Sequence, residues 1–174
     1  LYRQQPTEYY YEQLFKSHVA LMDLDAAEKL VKERMRRTND DPRYNIDLGS
    51  VLKMAGDPDK ARKEFDKALR SMKPDQGSVR AVANGFIRVQ ELDLALEAFD
   101  RGRKMLQEDM SFHFEVANLY AMKGDVPKMV TAYMDLLTVN EAYIQAVQNA
   151  LCWFVVLETA DERTDILRTE LLKR

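Results

Sequence analysis

Two histidines, one cysteine and a scatter of carboxylates are the raw material for chemistry in this chain of 174 residues. A catalytic centre needs a nucleophile, an acid–base pair, a metal cluster or a phosphate-binding loop in converging geometry. His18 and His113 fall in distant segments. Cys152 sits inside the apolar run Leu151-Cys152-Trp153-Phe154-Val155-Val156-Leu157, with no histidine near it in sequence, and reads as a small buried residue. No glycine-rich loop cradles a phosphate, and no Cys/His spacing suits zinc. Asp40-Asp41 and Asp57-Asp59 have the look of helix caps and turns rather than of a paired-carboxylate or calcium site. The expectation is a chain without catalysis, cofactor or metal. What remains is binding chemistry: Arg80 and Arg88 could hold a carboxylate or phosphate, and Asn84 and Asn118 could pair with a peptide backbone.

Composition narrows the elements that position these groups. Hydrophobic residues make up 46% and charged residues 32%, so a chain of this length can bury a sizeable core. Six Gly and five Pro are too few for long disordered tracts or a turn-rich all-β fold. A net charge of −3 leaves no electrostatic footprint for a duplex or an anionic membrane, and no nucleic-acid partner is expected. The longest apolar run is far too short to span a bilayer, so no membrane insertion is expected either. A single cysteine excludes an internal disulfide but leaves the compartment open, cytoplasm and periplasm both fitting a soluble chain.

Sliding the sequence against itself by 34 residues aligns four units without a gap. One row reads Leu14, Leu48, Val82, Val116; the next reads Phe15, Gly49, Ala83, Ala117. Two more are Ala27, Ala61, Ala95, Met129 and Val31, Phe65, Phe99, Tyr133, with an acidic row Asp23, Asp57, Glu91, Asp125 between. The second row is small in three of four units, and the acidic row holds in all four at a constant period. Within a unit the apolar residues step by three and four, the spacing of helices. Ala55-Gly56-Asp57-Pro58 supplies a left-handed helix end, a cap and a first-turn proline. Gly124, Asp125 and Pro127 repeat that punctuation. The spacing predicts antiparallel pairs: 8–21 with 24–38, 42–55 with 58–72, 76–89 with 92–106, and 110–123 with 126–139. His18 shares a packing row with Leu52, Phe86 and Tyr120, which favours a partly buried structural role.

Period, helix–turn–helix form and the pattern Ile46-Asp47-Leu48-Gly49 through Ala61, Phe65, Ala68 and Pro74 resemble the tetratricopeptide repeat family over residues 8–141. Departures are Phe15 in the small row, Met129 for alanine, Arg34 and Leu136 in a second small row, and Pro74 one place late. The resemblance implies an all-α, right-handed superhelical solenoid of stacked antiparallel helix pairs. Its units are 8–41, 42–75, 76–109, 110–142 and a degenerate fifth, 143–174, in one solenoid domain. A pair cannot bury both faces alone, so stacking is obligatory. Residues 161–173 read as the last helix of the degenerate unit. Leu1 and Pro6 fall in register with Leu69 and Pro74, which suggests a longer array cut before residue 1.

In the resembled family the first helix of each pair lines an inner surface that binds an extended peptide or a partner's helix. The rows expected inward are Glu12, Ile46, Arg80, Phe114, Gln148 and Lys16, Ser50, Asn84, Asn118, Cys152. The expected contact residues are Lys16, Ser50, Arg80, Asn84, Arg88, Phe114, Asn118 and Gln148. A carboxylate clamp is not supported, because Glu115 stands where asparagine is needed and Gln145 and Asn149 where basic residues belong. Tyr9-Tyr10-Tyr11 is a second feature: Tyr11 should pack inside, while Tyr9 and Tyr10 cover a neighbouring unit or anchor a partner. The reading is therefore a non-catalytic scaffold for a protein or peptide partner. The alternatives are a structural segment that self-associates end to end and a regulatory domain of a larger protein.

Overall fold

A computed structural model describes residues 8–38, 41–107, 112–155 and 169, with backbone alone for 152–155. The described residues are helical: α1 Glu8–Ala20, α2 Leu24–Arg37, α3 Pro42–Met54, α4 Pro58–Arg70, α5 Gln76–Arg88, α6 Leu92–Leu106, α7 His113–Lys123, α8 Val126–Val139 and α9 Ile144–Val155. A single 3-10 turn, Glu141–Tyr143, precedes α9. These are the pairs that the 34-residue period calls for, so the all-α helical-repeat expectation holds. The expected final helix at 161–173, the segment before Glu8 and the side chain of Cys152 lie outside the described residues.

The turn inside each pair is one structure repeated at the sequence period. The amides of Asp23, Asp57, Glu91 and Asp125 donate to the carbonyls of His18, Leu52, Phe86 and Tyr120, each at 2.9 Å. One residue earlier, the amides of Met22, Gly56, Gln90 and Gly124 donate to Val19, Lys53, Ile87 and Ala121. This six-to-one bond laid over a five-to-two bond is the Schellman closure, and it demands a left-handed residue. That residue is Met22 at φ 57°, Gly56 at 85°, Gln90 at 62° and Gly124 at 72°. Glycine takes the conformation freely; Met22 and Gln90 take it against a steric cost.

The acidic row then starts the next helix. The carboxylates of Asp23, Asp57 and Asp125 accept from the amides of Ala26, Lys60 and Lys128, a side-chain N-cap in each case. Hydrogen bonds from Lys60 and Lys128 hold the Asp57 and Asp125 carboxyls below the usual carboxylate range. Glu91, one methylene longer, turns instead to Lys53 Nζ at 2.5 Å.

The chain divides into two compact units, residues 1–98 and 99–174. In the first, α1 packs on α2, α2 on α3, α3 on α4 and α3 on α5, so that contacts run between neighbours as in a repeat stack. The small row earns its composition at Gly49. A Cβ there would stand 2.5 Å from Cε1 of the Phe65 ring and 3.1 Å from the Ala61 carbonyl oxygen. Phe65 in turn meets Phe86 edge-on, with centroids 5.6 Å apart, linking α4 to α5. In the first pair the two rows exchange volume: Phe15 replaces glycine and Val31 replaces phenylalanine, and both are buried in one cluster with Tyr11, Ala27 and Tyr44.

In the second unit Ala117, Met129, Val130, Tyr133, Leu136 and Val147 form a core cluster from α7, α8 and α9. Helix α7 begins at His113, later than the spacing predicts. Phe112 just before it is buried and takes φ 69°, with its ring tilted on Phe99 at a centroid distance of 5.0 Å. A buried aromatic held in the left-handed region is a strained position, and α7 starts directly after it.

Candidate functional site

Three first-type helices of the first unit, α1, α3 and α5, carry polar residues at helical spacing. Glu8, Tyr11 and Glu12 share a face of α1, Arg43 and Asp47 a face of α3, and Ala81, Asn84, Gly85 and Arg88 a face of α5. These residues line one cleft of about 270 Å³. Gly85 contributes to its closeness: a Cβ there would come within 2.7 Å of Ile46 Cδ1, so a larger residue would have to displace the end of that side chain. Ile46, expected on the inner face, is accordingly buried between the helices.

The floor of the cleft is a charged network. Asp47 is 1% exposed and is the one buried charged side chain among the described residues. Its Oδ2 accepts from the Tyr11 hydroxyl at 2.8 Å, and its Oδ1 accepts from Arg88 Nη2. One carboxylate thus ties α1 to α3 and α5. Burial pushes the Asp47 carboxyl above the usual range, while the Arg88 charge and the Tyr11 hydroxyl act in the opposite direction. Burial, followed by the Asp47 charge, pushes the Tyr11 phenol far up, so that it remains a donor.

Glu8 anchors a second network at the edge. Its Oε2 accepts from Arg34 Nη2 at 3.0 Å and from the Tyr44 hydroxyl at 2.8 Å, while Arg34 Nε donates to that same hydroxyl at 3.1 Å. Arg34 therefore fills its departure from the small row with a purpose: its guanidinium also lies 5.9 Å from the ring centroids of Tyr11 and Tyr44. Arg43 grips Asp41 through Nε and Nη2, the latter at 2.6 Å, and reaches Glu8 Oε1 at 3.5 Å. Burial works upward on Asp41, but the hydrogen bonds from Arg43 outweigh it and hold its carboxyl below the usual range.

Of the expected contact residues, Asn84 and Arg88 meet in this cleft. Arg88 does hold a carboxylate, and it is the chain's own Asp47. Arg80 is exposed on α5 and donates to Gln76 at 3.1 Å. Lys16 is exposed on α1, and Ser50 is half-buried on α3. In the second unit, half-buried Phe114 packs on Tyr133 at 5.8 Å, and exposed Asn118 accepts from the Tyr133 hydroxyl at 2.7 Å. Gln148 is exposed on α9. His18 is half-buried, with Nδ1 3.4 Å from Asp23, as a structural histidine would be. Tyr11 is buried and Tyr9 exposed.

The residue that spacing did not single out is Asp47. It was visible only as an acid inside the apolar motif Ile46-Asp47-Leu48-Gly49, with no partner nearby in sequence. A second, more open cleft of about 590 Å³ shares Arg43 and Ala81 with the first and adds Ser71, Lys73 and Ser78. The polar face therefore continues along α5. No group of three or more metal-ligating side chains occurs among the described residues, and no helix among them is long and apolar enough to cross a membrane.

No family model matches the chain. No curated protein matches it either. Among solved structures, the crystal structure of MamA superposes with a TM-score of 0.44 at 16% identity, covering 91% of this chain and 93% of that one. A second crystal structure of MamA protein gives 0.44 and 16%, over 94% and 90%. Likeness at this level says nothing of partner or activity.

Proposed function

We propose that this protein is a non-catalytic interaction scaffold that binds an extended peptide segment of a partner protein. The binding face is the polar face of the first helices. The second helices α2 and α4 commit their apolar residues Ala27, Leu30, Val31, Ala61, Phe65 and Leu69 to the core. The first helices α3 and α5 also bury Tyr44, Ile46, Leu48, Val51, Val79, Val82 and Phe86, and beside these they leave a cleft with a hydrogen-bonding rim. The observation that carries the reading is this cleft. It is built on an ionic floor, and at its rim Asn84 is exposed with no side-chain hydrogen bond among the described residues. A side-chain amide offers donors and an acceptor to a peptide backbone. Preorganised polar groups on rigid helices bind with little ordering cost.

Selection of peptides from a displayed random library against the folded protein tests this. Recovered peptides should lose affinity by about five- to tenfold with Asn84→Ala, while the thermal midpoint stays put. Recovery of no peptide, together with concentration-dependent growth in light scattering, would replace the reading by self-association.

A further inference from the structure

The cleft contains five charged side chains, and four of them are already satisfied inside the chain. Glu8 serves Arg34, Tyr44 and Arg43; Asp47 serves Tyr11 and Arg88; Arg43 holds Asp41; Arg88 holds Asp47. The two carboxylates and two guanidiniums cancel in formal charge. Glu12 is the fifth. It lies half-buried on α1, one turn beyond Glu8, with no hydrogen-bond or ion-pair partner among the described residues.

We infer that the cleft receives a cationic side chain, arginine or lysine, from the bound peptide, with Glu12 as its counter-charge and Asn84 pairing to the adjacent peptide backbone. This deepens the scaffold reading and rests on it. An incoming carboxylate is disfavoured on two counts. It would have to draw Arg88 away from Asp47, leaving a buried carboxylate without its charge partner. It would also approach Glu12 and Glu8 with like charge. A cation meets neither obstacle, and a carboxylate–guanidinium pair is a strong, directional contact.

Size agrees. About 270 Å³ falls below the ~300–1,000 Å³ of a site for a drug-sized molecule and suits one long side chain. The flanking peptide has somewhere to go, since the second cleft continues past Ala81 towards Ser78 and Lys73. From Arg88 to Ser78 along α5 is about 15 Å, the reach of four or five extended residues.

Display selection with three versions of the protein decides the matter, with fluorescence polarisation giving affinities. Against the unaltered protein, recovered peptides should share Lys or Arg at one position. Glu12→Gln, nearly isosteric, should weaken them about five- to tenfold. Glu12→Lys should invert the preference to Asp or Glu at that position. Peptides that need Asn84 but carry no basic residue, or basic peptides indifferent to both Glu12 changes, would overturn this inference and leave the scaffold reading standing. Recovery of no peptide at all would remove both.

Discussion

The two units fill one repeat frame in different ways. In the first, the buried Asp47 carboxylate joins three helices through Tyr11 and Arg88, and Arg34 and Tyr44 gather on Glu8 beside it. In the second, the core cluster of Ala117, Met129, Val130, Tyr133, Leu136 and Val147 relies on volume, with the Tyr133 hydroxyl reaching the surface amide of Asn118. Both share the turn geometry, the acidic cap and an aromatic against a small residue. The frame therefore comes from rows that repeat, and the difference comes from residues that do not. Polar ties fix orientation at a cost in desolvation, so they belong where a face must be held in one arrangement. That is the unit with the cleft.

The shared frame makes the largest prediction. Phe65→Ala in the first unit and Tyr133→Ala in the second should each cost about 3–5 kcal/mol, because each removes a buried ring from a close-packed row. Chemical denaturation measures both. A large cost in one unit and a small one in the other would mean that the frame is not shared.

The turns come next. Gly124→Ala should cost about 1–2 kcal/mol, because its φ of 72° is left-handed. Gln90→Gly, at the equivalent position of the first unit, should instead gain about 0.5–1 kcal/mol by releasing the same strain. Equal signs for the two changes would break the equivalence of the turns.

The difference between the units should appear in pH dependence. Asp47 has its carboxyl raised by burial in the folded state, so the native protein holds that proton more tightly than the unfolded chain. Its contribution to stability is fully present below the ordinary carboxylate range and is lost as pH rises through the raised value. Asp41, Asp57 and Asp125 have the opposite sign, contributing above the ordinary range and losing it as pH falls. Asp47→Asn should therefore cancel a decline of stability on the alkaline side of about pH 4 and leave the acid-side loss unchanged. Tyr133→Phe should cost about 1 kcal/mol at every pH in that range. Melting curves across the acid range distinguish the two.

The smallest effect belongs to the exposed face. Lys16→Ala or Arg80→Ala should alter stability by no more than about 0.5 kcal/mol. A larger loss would put these side chains inside the fold.

Helix boundaries and turns were legible because they depend on neighbours in sequence. Gly56 and Gly124 announce a left-handed turn, and the acids beside them announce the caps. Met22 and Gln90 hide the same turn, since their side chains give no sign of positive φ; only their register with the glycines does. Exposed Lys16, Arg80, Asn84, Asn118 and Gln148 follow from helical phase. Ile46 and Asp47 do not. Ile46 is covered because Gly85 on another helix opens room for it, and Asp47 is buried because Tyr11 and Arg88 reach it from two further helices. Such contacts lie across the stack, where a period along one chain is silent. Phe15 with Val31 shows the same point in volume: each looks wrong in its own row, and together they restore the sum.

The central claim is that the first helices of the first unit form the recognition face. Residue-resolved NMR of the protein titrated with a selected peptide tests it most directly. Shifts concentrated on Glu12, Asn84 and Arg88, with the exposed α2 residues Lys29, Lys32 and Arg36 unmoved, are the predicted result. Shifts concentrated on that α2 surface, with the α1 and α5 residues silent, would contradict it.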